Sequence, residues 1–267
     1  MNGADGYRRK VHEEKGQGVV LEIHELARKS HRPLGMQIWD EMSVGNAAVR
    51  VHHAAAVPVV SRQICMRLDG GSVLLEPGAF QYSHGKINAE MQRNANAGGW
   101  LRRTITSAGT GEAAYATRFS GTGEVWTEPT AKYFIAATMD GAGDALLLDD
   151  KAFYACEATI EVSTHTHAGV QGVLSGNGLM QPKLSGRGAF IMESPVPQEE
   201  LEVIELDGSG DLTVDGDLML AYSASLTATL KPLVRGLRNA MRSGEGLVYV
   251  LQGLGTVFLM PTLRVGH

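Results

Sequence analysis

The 267-residue chain has little cysteine: Cys65 and Cys156 stand far apart in apolar surroundings, so no disulfide framework organises it. Both read as buried thiols in a reducing compartment. Aromatic residues make up 6% of the chain, and Trp39, Trp100 and Trp126 are too dispersed to form a stacking platform. The formal charge of −5 leaves no global field to recruit nucleic acid or an acidic membrane. No run reaches the roughly 18 apolar residues of a membrane span, and Met1–Gly18 lacks the apolar centre of a signal peptide. The expectation is a soluble, cytoplasmic protein.

Several catalytic signatures are missing as well. Gly-x-Ser-x-Gly, Cys-x-x-Cys and His-Glu-x-x-His do not occur, which removes the local support for esterase, zinc-ribbon and zincin readings. Gly-x-Gly occurs nine times, but never with the third glycine of the dinucleotide fingerprint. These pairs read as turns.

What is abundant is glycine, with 33 residues, about twice the usual share of roughly 7%. The glycines are spread along the chain and punctuate a pattern that recurs. Phe119-Ser120-Gly121-Thr122-Gly123 is echoed by Leu184-Ser185-Gly186-Arg187-Gly188, and Met139-Asp140-Gly141-Ala142-Gly143-Asp144 by Leu206-Asp207-Gly208-Ser209-Gly210-Asp211. Asp140 and Asp207 lie 67 residues apart, and Ser120 and Ser185 lie 65 apart. Near-equal offsets imply one structural unit used again. A third copy rests on Leu74-Leu75-Glu76-Pro77-Gly78-Ala79-Phe80, which lines up with Leu147-Leu148-Asp149-Asp150-Lys151-Ala152-Phe153. The expected units lie near 64–117, 118–183 and 184–260.

Residues 1–17, charged and aperiodic, read as a flexible tail. Residues 18–60 are ambiguous: Val19–Leu26 alternates like a strand but runs into a helix-compatible Ala27-Arg28-Lys29, and Ala48–His52 alternates with period two. From residue 61 onward, short β-rich runs are separated by Gly, Asp and Pro turns, the pattern of a sandwich or barrel. Ile64–Leu68 and Ser72–Glu76 read as two strands joined by a turn at Asp69-Gly70-Gly71. One helix is expected near 232–242, with Pro232 at its first position and Leu233, Leu237 and Met241 on one face. The predicted fold is all-β: a β-sandwich domain over 61–267, built from two or three repeats, with that one short C-terminal helix.

These blocks, in this order and spacing, resemble the family named after altered inheritance of mitochondria protein 24. The resemblance rests on the Pro77-Gly78-Ala79 turn, the Ser120–Trp126 block, Gly186–Phe190, Val214–Ala221 and the closing Gly244–Met260 strands. It covers roughly 61–262. It implies a compact β-sandwich related to the tryptophan RNA-binding attenuation protein and to double-stranded β-helices, or jelly rolls. No catalytic residues are established for that family, so it implies none here.

Three groups of residues carry chemistry in this reading. His165 and His167 would share one face of a strand, where two imidazoles can hold a divalent metal, with His84 as a distant third ligand in a cupin-like arrangement. No other cofactor is predicted. Arg235, Arg238 and Arg242 line one side of the expected helix, where they form a solvated face or dock an anionic partner, including a membrane surface. Asp140/Asp144 and Asp207/Asp211 suit tight turns, with calcium as the sharper reading. The functional expectation is a non-enzymatic interaction or scaffold protein that acts as a homo-oligomer, since strands that must protect their edges can pair them between subunits. A metal or small-ligand protein is the alternative.

Overall fold

The computed structural model describes residues 8–26, 60–91, 116–149, 151–166, 180–232 and 247–261. Almost all of this is antiparallel strand. The N-terminal pair is β1 (Arg8–Lys15) and β2 (Val19–Leu26), followed by β3 (Arg62–Leu75), β4 (Phe80–Met91) and β5 (Thr117–Thr127). The middle of the chain forms β6 (Tyr133–Leu148), β7 (Phe153–Glu157), β8 (Ile160–Thr166) and β9 (Met180–Ser194). The last part forms β10 (Glu202–Asp207), β11 (Leu212–Asp215), β12 (Met219–Ser223), β13 (Thr227–Pro232), β14 (Leu247–Gln252) and β15 (Leu254–Leu259). Single 3-10 turns occupy Gln198–Glu200 and Gly216–Leu218.

Twelve strands form one sheet along the path β1-β2-β3-β7-β9-β6-β12-β15-β10, with β5 also on β3, β4 on β5 and β8 on β9. A second sheet has the order β11-β14-β13. The path can branch because the long strands bend. β3 pairs with β2 through its first half, with β7 through its last three residues, and with β5 along most of its length.

That bend corrects the sequence reading. Asp69-Gly70-Gly71 is no hairpin turn but a bulge inside one continuous strand, where the β3–β5 register shifts between Asp69 and Ser72. β6 carries the same device between Gly141 and Ala145. Only at Gly208–Gly210 does the chain break into two strands, β10 and β11. The Gly-x-Gly pairs at 121 and 186 are likewise inside strands β5 and β9, not in turns. Gly121, at φ 127°, shows why: a Cβ there would strike the Lys86 carbonyl on the neighbouring strand.

Two further expectations change. Residues 8–15, placed in a flexible tail by the sequence, form β1, because Arg8–Lys15 finds a complete antiparallel partner in Val20–Leu26. Pro232 ends strand β13 opposite Leu247 instead of opening a helix; the rest of the expected helix lies outside the described residues, as does Ala48–His52.

The core follows from alternation. Leu21, Ile23, Ile64, Met66 and Val125 project to one side of the β2-β3-β5 region and pack with Tyr154, Ala155 and Ile191. Leu148, Phe153, Ile160, Leu184, Phe190 and Leu220 form a second cluster. Met219, Tyr222, Leu226, Tyr249 and Leu251 form a third. All five residues of β7 are buried, as expected for a strand covered on both faces.

Two junctions tie the three regions together, and they have the same form. In the first, Val73, Leu74 and Leu75 pair with Glu157, Cys156 and Ala155. It is bracketed by Glu76 N–H donating to Tyr154 O at 2.8 Å and Ala158 N–H donating to Ser72 O at 2.9 Å. In the second, Leu146, Leu147 and Leu148 pair with Ser223, Tyr222 and Ala221. Its brackets are Asp149 N–H to Leu220 O at 2.9 Å and Ala224 N–H to Ala145 O at 2.8 Å.

Candidate functional site

The richest polar grouping lies on the face of β2, β3 and β5 opposite the first core cluster. Period-two alternation puts Glu22 and His24, Gln63 and Arg67, and Glu124 and Trp126 there. Glu22 and His24 are nonetheless buried, 3% and 8% exposed. A buried carboxylate needs partners, and Glu22 has three: His24 Nε2 donates to it at 2.8 Å, with Lys10 Nζ at 3.3 Å and Arg67 Nε at 3.4 Å. Burial pushes the Glu22 carboxyl up, and its hydrogen bond to His24 and the charges of Arg67 and Lys10 more than reverse this, leaving it below the usual carboxylate range.

Above this pair the Arg8 guanidinium stacks 4.2 Å from the Trp126 ring centroid and donates to Gln63 Oε1 and Tyr82 Oη, both at 2.9 Å. Tyr82 in turn stacks on Trp126. The cluster holds β1 and β2 against β3, β5 and β4. His24 Nδ1 is buried without a hydrogen-bond partner. The nearby Cys65 thiol is fully buried, and that burial pushes its pKa up, so it is no nucleophile.

A second buried carboxylate anchors the same pair of strands. Glu157, 1% exposed at the end of β7, accepts from Gln17 N–H in the β1–β2 turn and from Ala189 N–H in β9, each at 2.6 Å. Gly188, at φ 149°, leaves room for it: a Cβ there would lie 2.7 Å from Glu157 Oε2. Sequence reasoning missed both carboxylates. The signal available for Glu22 and His24 was an acid and an imidazole two apart in an otherwise apolar alternating run.

The residues singled out by sequence are dispersed. His84 is exposed on β4 opposite Glu124, and His165 is half-buried on β8 opposite Gln181. In the hydrogen-bonded order, β5, β3, β7 and β9 stand between these two strands. Among the described residues no group of three His, Cys, Asp or Glu side chains converges as metal ligands do. His167, Arg235, Arg238 and Arg242 lie outside the described residues. Asp144 Oδ2 accepts from Asp140 N–H at 2.8 Å, and Asp207 Oδ1 accepts from both Ser209 N–H and its hydroxyl, so these carboxylates order their own loops. Beside the first of them, Thr138, Asp144, Ser223 and Ser225 border an open hollow of about 240 Å³. Cys65 and Cys156 are both free and buried.

The other conspicuous feature is edge. β4 is a twelve-residue strand that pairs only with β5 among the described residues, and nearly all of its residues are exposed. Phe80 and Met91 at its ends are 42% and 57% exposed, although Phe80 stacks on Phe119. Among the described residues β10 pairs only with β15; it exposes Val203, and Leu254 is exposed on β15 opposite Asp207. No helix among the described residues is long and apolar enough to cross a membrane.

Comparison with known proteins agrees with this architecture. Protein SPYM3_0169 from Streptococcus pyogenes, known from its crystal structure, superposes with a TM-score of 0.55 at 21% identity, over 78% of this chain and 91% of that one. At that identity the likeness speaks for the fold alone. Among curated proteins none matches this chain. The sequence model described as mitochondrial biogenesis AIM24 matches residues 56–262, which contain every strand from β3 to β15, and the chain therefore belongs to the AIM24 family.

Proposed function

We propose that this protein is a non-enzymatic interaction protein that assembles with copies of itself in the cytoplasm. The observation that carries the reading is β4, twelve residues long, with one side paired to β5 and the other side open among the described residues. Free strand edges present rows of N–H and C=O groups that template pairing with another chain. Lys86 and Glu90 on β4 are charges of the kind that discourage indiscriminate pairing while leaving the edge available to a matched partner.

The repeat belongs to the same proposal. Its units are 62–127, 133–194 and 202–259, each a bent or broken long strand, a second strand or strand pair, and a return strand carrying Gly-x-Gly. The like form of the β3·β7 and β6·β12 junctions supports it. These boundaries differ in phase from 64–117, 118–183 and 184–260, because β5 and β9 pair back onto β3 and β6.

The test is native mass spectrometry with sedimentation over a wide range of protein concentration. A defined multiple of the chain mass is expected; a monomer at every concentration would end the reading. A second reading places a divalent metal at His165 and His167, supported by the half-buried position of His165 beside Gln181, itself fixed by Tyr222 Oη at 2.9 Å. It predicts a stoichiometric metal that is lost when both histidines become alanine. A wild-type chain that takes up no metal removes it.

A further inference from the structure

The two internal junctions obey one rule of register, and the chain carries a third pair of edges that fits it. Leu75, Leu148 and Val214 each stand five residues before the first residue of a following strand, Phe80, Phe153 and Met219. All three side chains are buried. Leu75 pairs across its junction with Ala155, and Leu148 with Ala221. Ala155 and Ala221 are each the third residue of the strand that begins at Phe153 or Met219. The corresponding third residue of β4 is Tyr82. Val214 and Tyr82 are therefore the pair that would complete the series. Neither edge is taken: among the described residues β11 pairs only with β14, and β4 only with β5.

From this we infer that β11 of one copy pairs, antiparallel, with the start of β4 in a second copy. The contact repeats between molecules the junction that the chain makes twice within itself. The register follows by transfer. Leu212, Thr213, Val214 and Asp215 meet His84, Ser83, Tyr82 and Gln81 of the second copy. Asp215 N–H donates to the Gln81 carbonyl, as Glu76 does to Tyr154 and Asp149 to Leu220. Gly85 N–H donates to the Asp211 carbonyl, as Ala158 does to Ser72 and Ala224 to Ala145.

The occupant is a second copy of this chain, because the two edges complement each other and not themselves. Such a contact is head-to-tail. It closes into a ring if the rotation between copies permits and otherwise grows into a filament. The inference rests on the homo-oligomer reading above and specifies its interface.

The experiment mixes two single variants of the full chain, Thr213→Cys and Ser83→Cys, under mild oxidation. Both positions are exposed and small, and a hydrogen-bonded antiparallel pair brings Cα atoms to about 5.5 Å, within disulfide reach. The native Cys65 and Cys156 are buried and do not compete. A covalent dimer that forms in the mixture, and not with either variant alone, is the expected result.

A companion variant, Ser83→Pro, removes an N–H on the open side of β4 while sparing the β5 ladder, as prolines on edge strands do. It should weaken self-association at least about tenfold with the β-sheet spectrum unchanged. An oligomer that forms no mixed disulfide and ignores Ser83→Pro overturns this interface and leaves self-assembly standing. A monomeric wild type overturns both. A disulfide within one chain of the double variant would show that the edges close on each other, and it too overturns the inference.

Discussion

β4 and β7 begin from the same sequence grammar and end in opposite environments. Each follows a Leu-Leu strand end by five residues, and each opens on Ala-Phe, at Ala79-Phe80 and Ala152-Phe153. β7 is buried at every residue, while β4 is exposed at nearly every one. Local sequence does contribute: Phe153-Tyr154-Ala155-Cys156 is apolar throughout, whereas β4 turns polar after Phe80. The larger cause lies outside the strands. β7 has β9 on one side and β3 on the other, and core clusters on both faces. β4 has β5 alone. A strand's burial is set by its neighbours, and among the described residues β4 has one strand neighbour where β7 has two.

The largest effect should come from exchanging the two phenylalanines for alanine. Phe153, 1% exposed, packs in the second core cluster, so Phe153→Ala should cost about 3–5 kcal/mol. Phe80, 42% exposed, would lose chiefly its stacking on Phe119, about 0.5–1.5 kcal/mol. Urea unfolding of both variants measures the gap. Equal losses would mean that β4 is covered in solution by something as intimate as a core, and comparing dilute with concentrated protein would reveal whether that cover is another copy.

Glu157 comes next, because it gives the end of β7 a role for which β4 has no counterpart. Its carboxylate binds the β1–β2 turn and β9 at once. Glu157→Gln keeps one acceptor oxygen but loses the charge, and should cost about 1–3 kcal/mol. Amide hydrogen exchange should locate the loss at Gln17 and Ala189. Unchanged protection at both amides would show that this carboxylate does not anchor the N-terminal pair.

How much of this was readable beforehand divides along the same line. The all-β class, the strand at Ile64–Leu68 and the family were legible, because alternation and the order of Gly-rich blocks are local properties of the chain. The bulges at Asp69–Ser72 and Gly141–Ala145 were not. Asp-Gly-rich stretches make turns or bulges according to whether a partner strand runs straight past them, and β5 and β9 are distant in sequence. β1 was hidden for a similar reason: Arg8–Lys15 is polar, and its strand state is imposed by β2. The polar cluster around Glu22 was invisible because Lys10, Arg67 and Trp126 reach it only through four strands' register.

The smallest effect depends on pH and concerns the face where β4 meets the rest through Tyr82. Glu22 is held ionised by His24, Arg67 and Lys10, with a pKa lowered in the folded protein. A carboxyl whose pKa falls on folding contributes stability that is fully present above its unfolded value, near 4.3, and is lost as pH falls through the lower folded value. Glu22→Gln removes that contribution at every pH. Wild type should therefore exceed the variant by about 1–2 kcal/mol at pH 7, with the difference closing as the pH drops below about 4. A difference that stays constant down to pH 3 would mean that Glu22 stabilises the cluster by its shape and hydrogen bonds alone. Lys10 and Arg67 would then be solvated at its rim, and the attachment of β1 and β2 would rest on Arg8, Trp126 and Tyr82 instead.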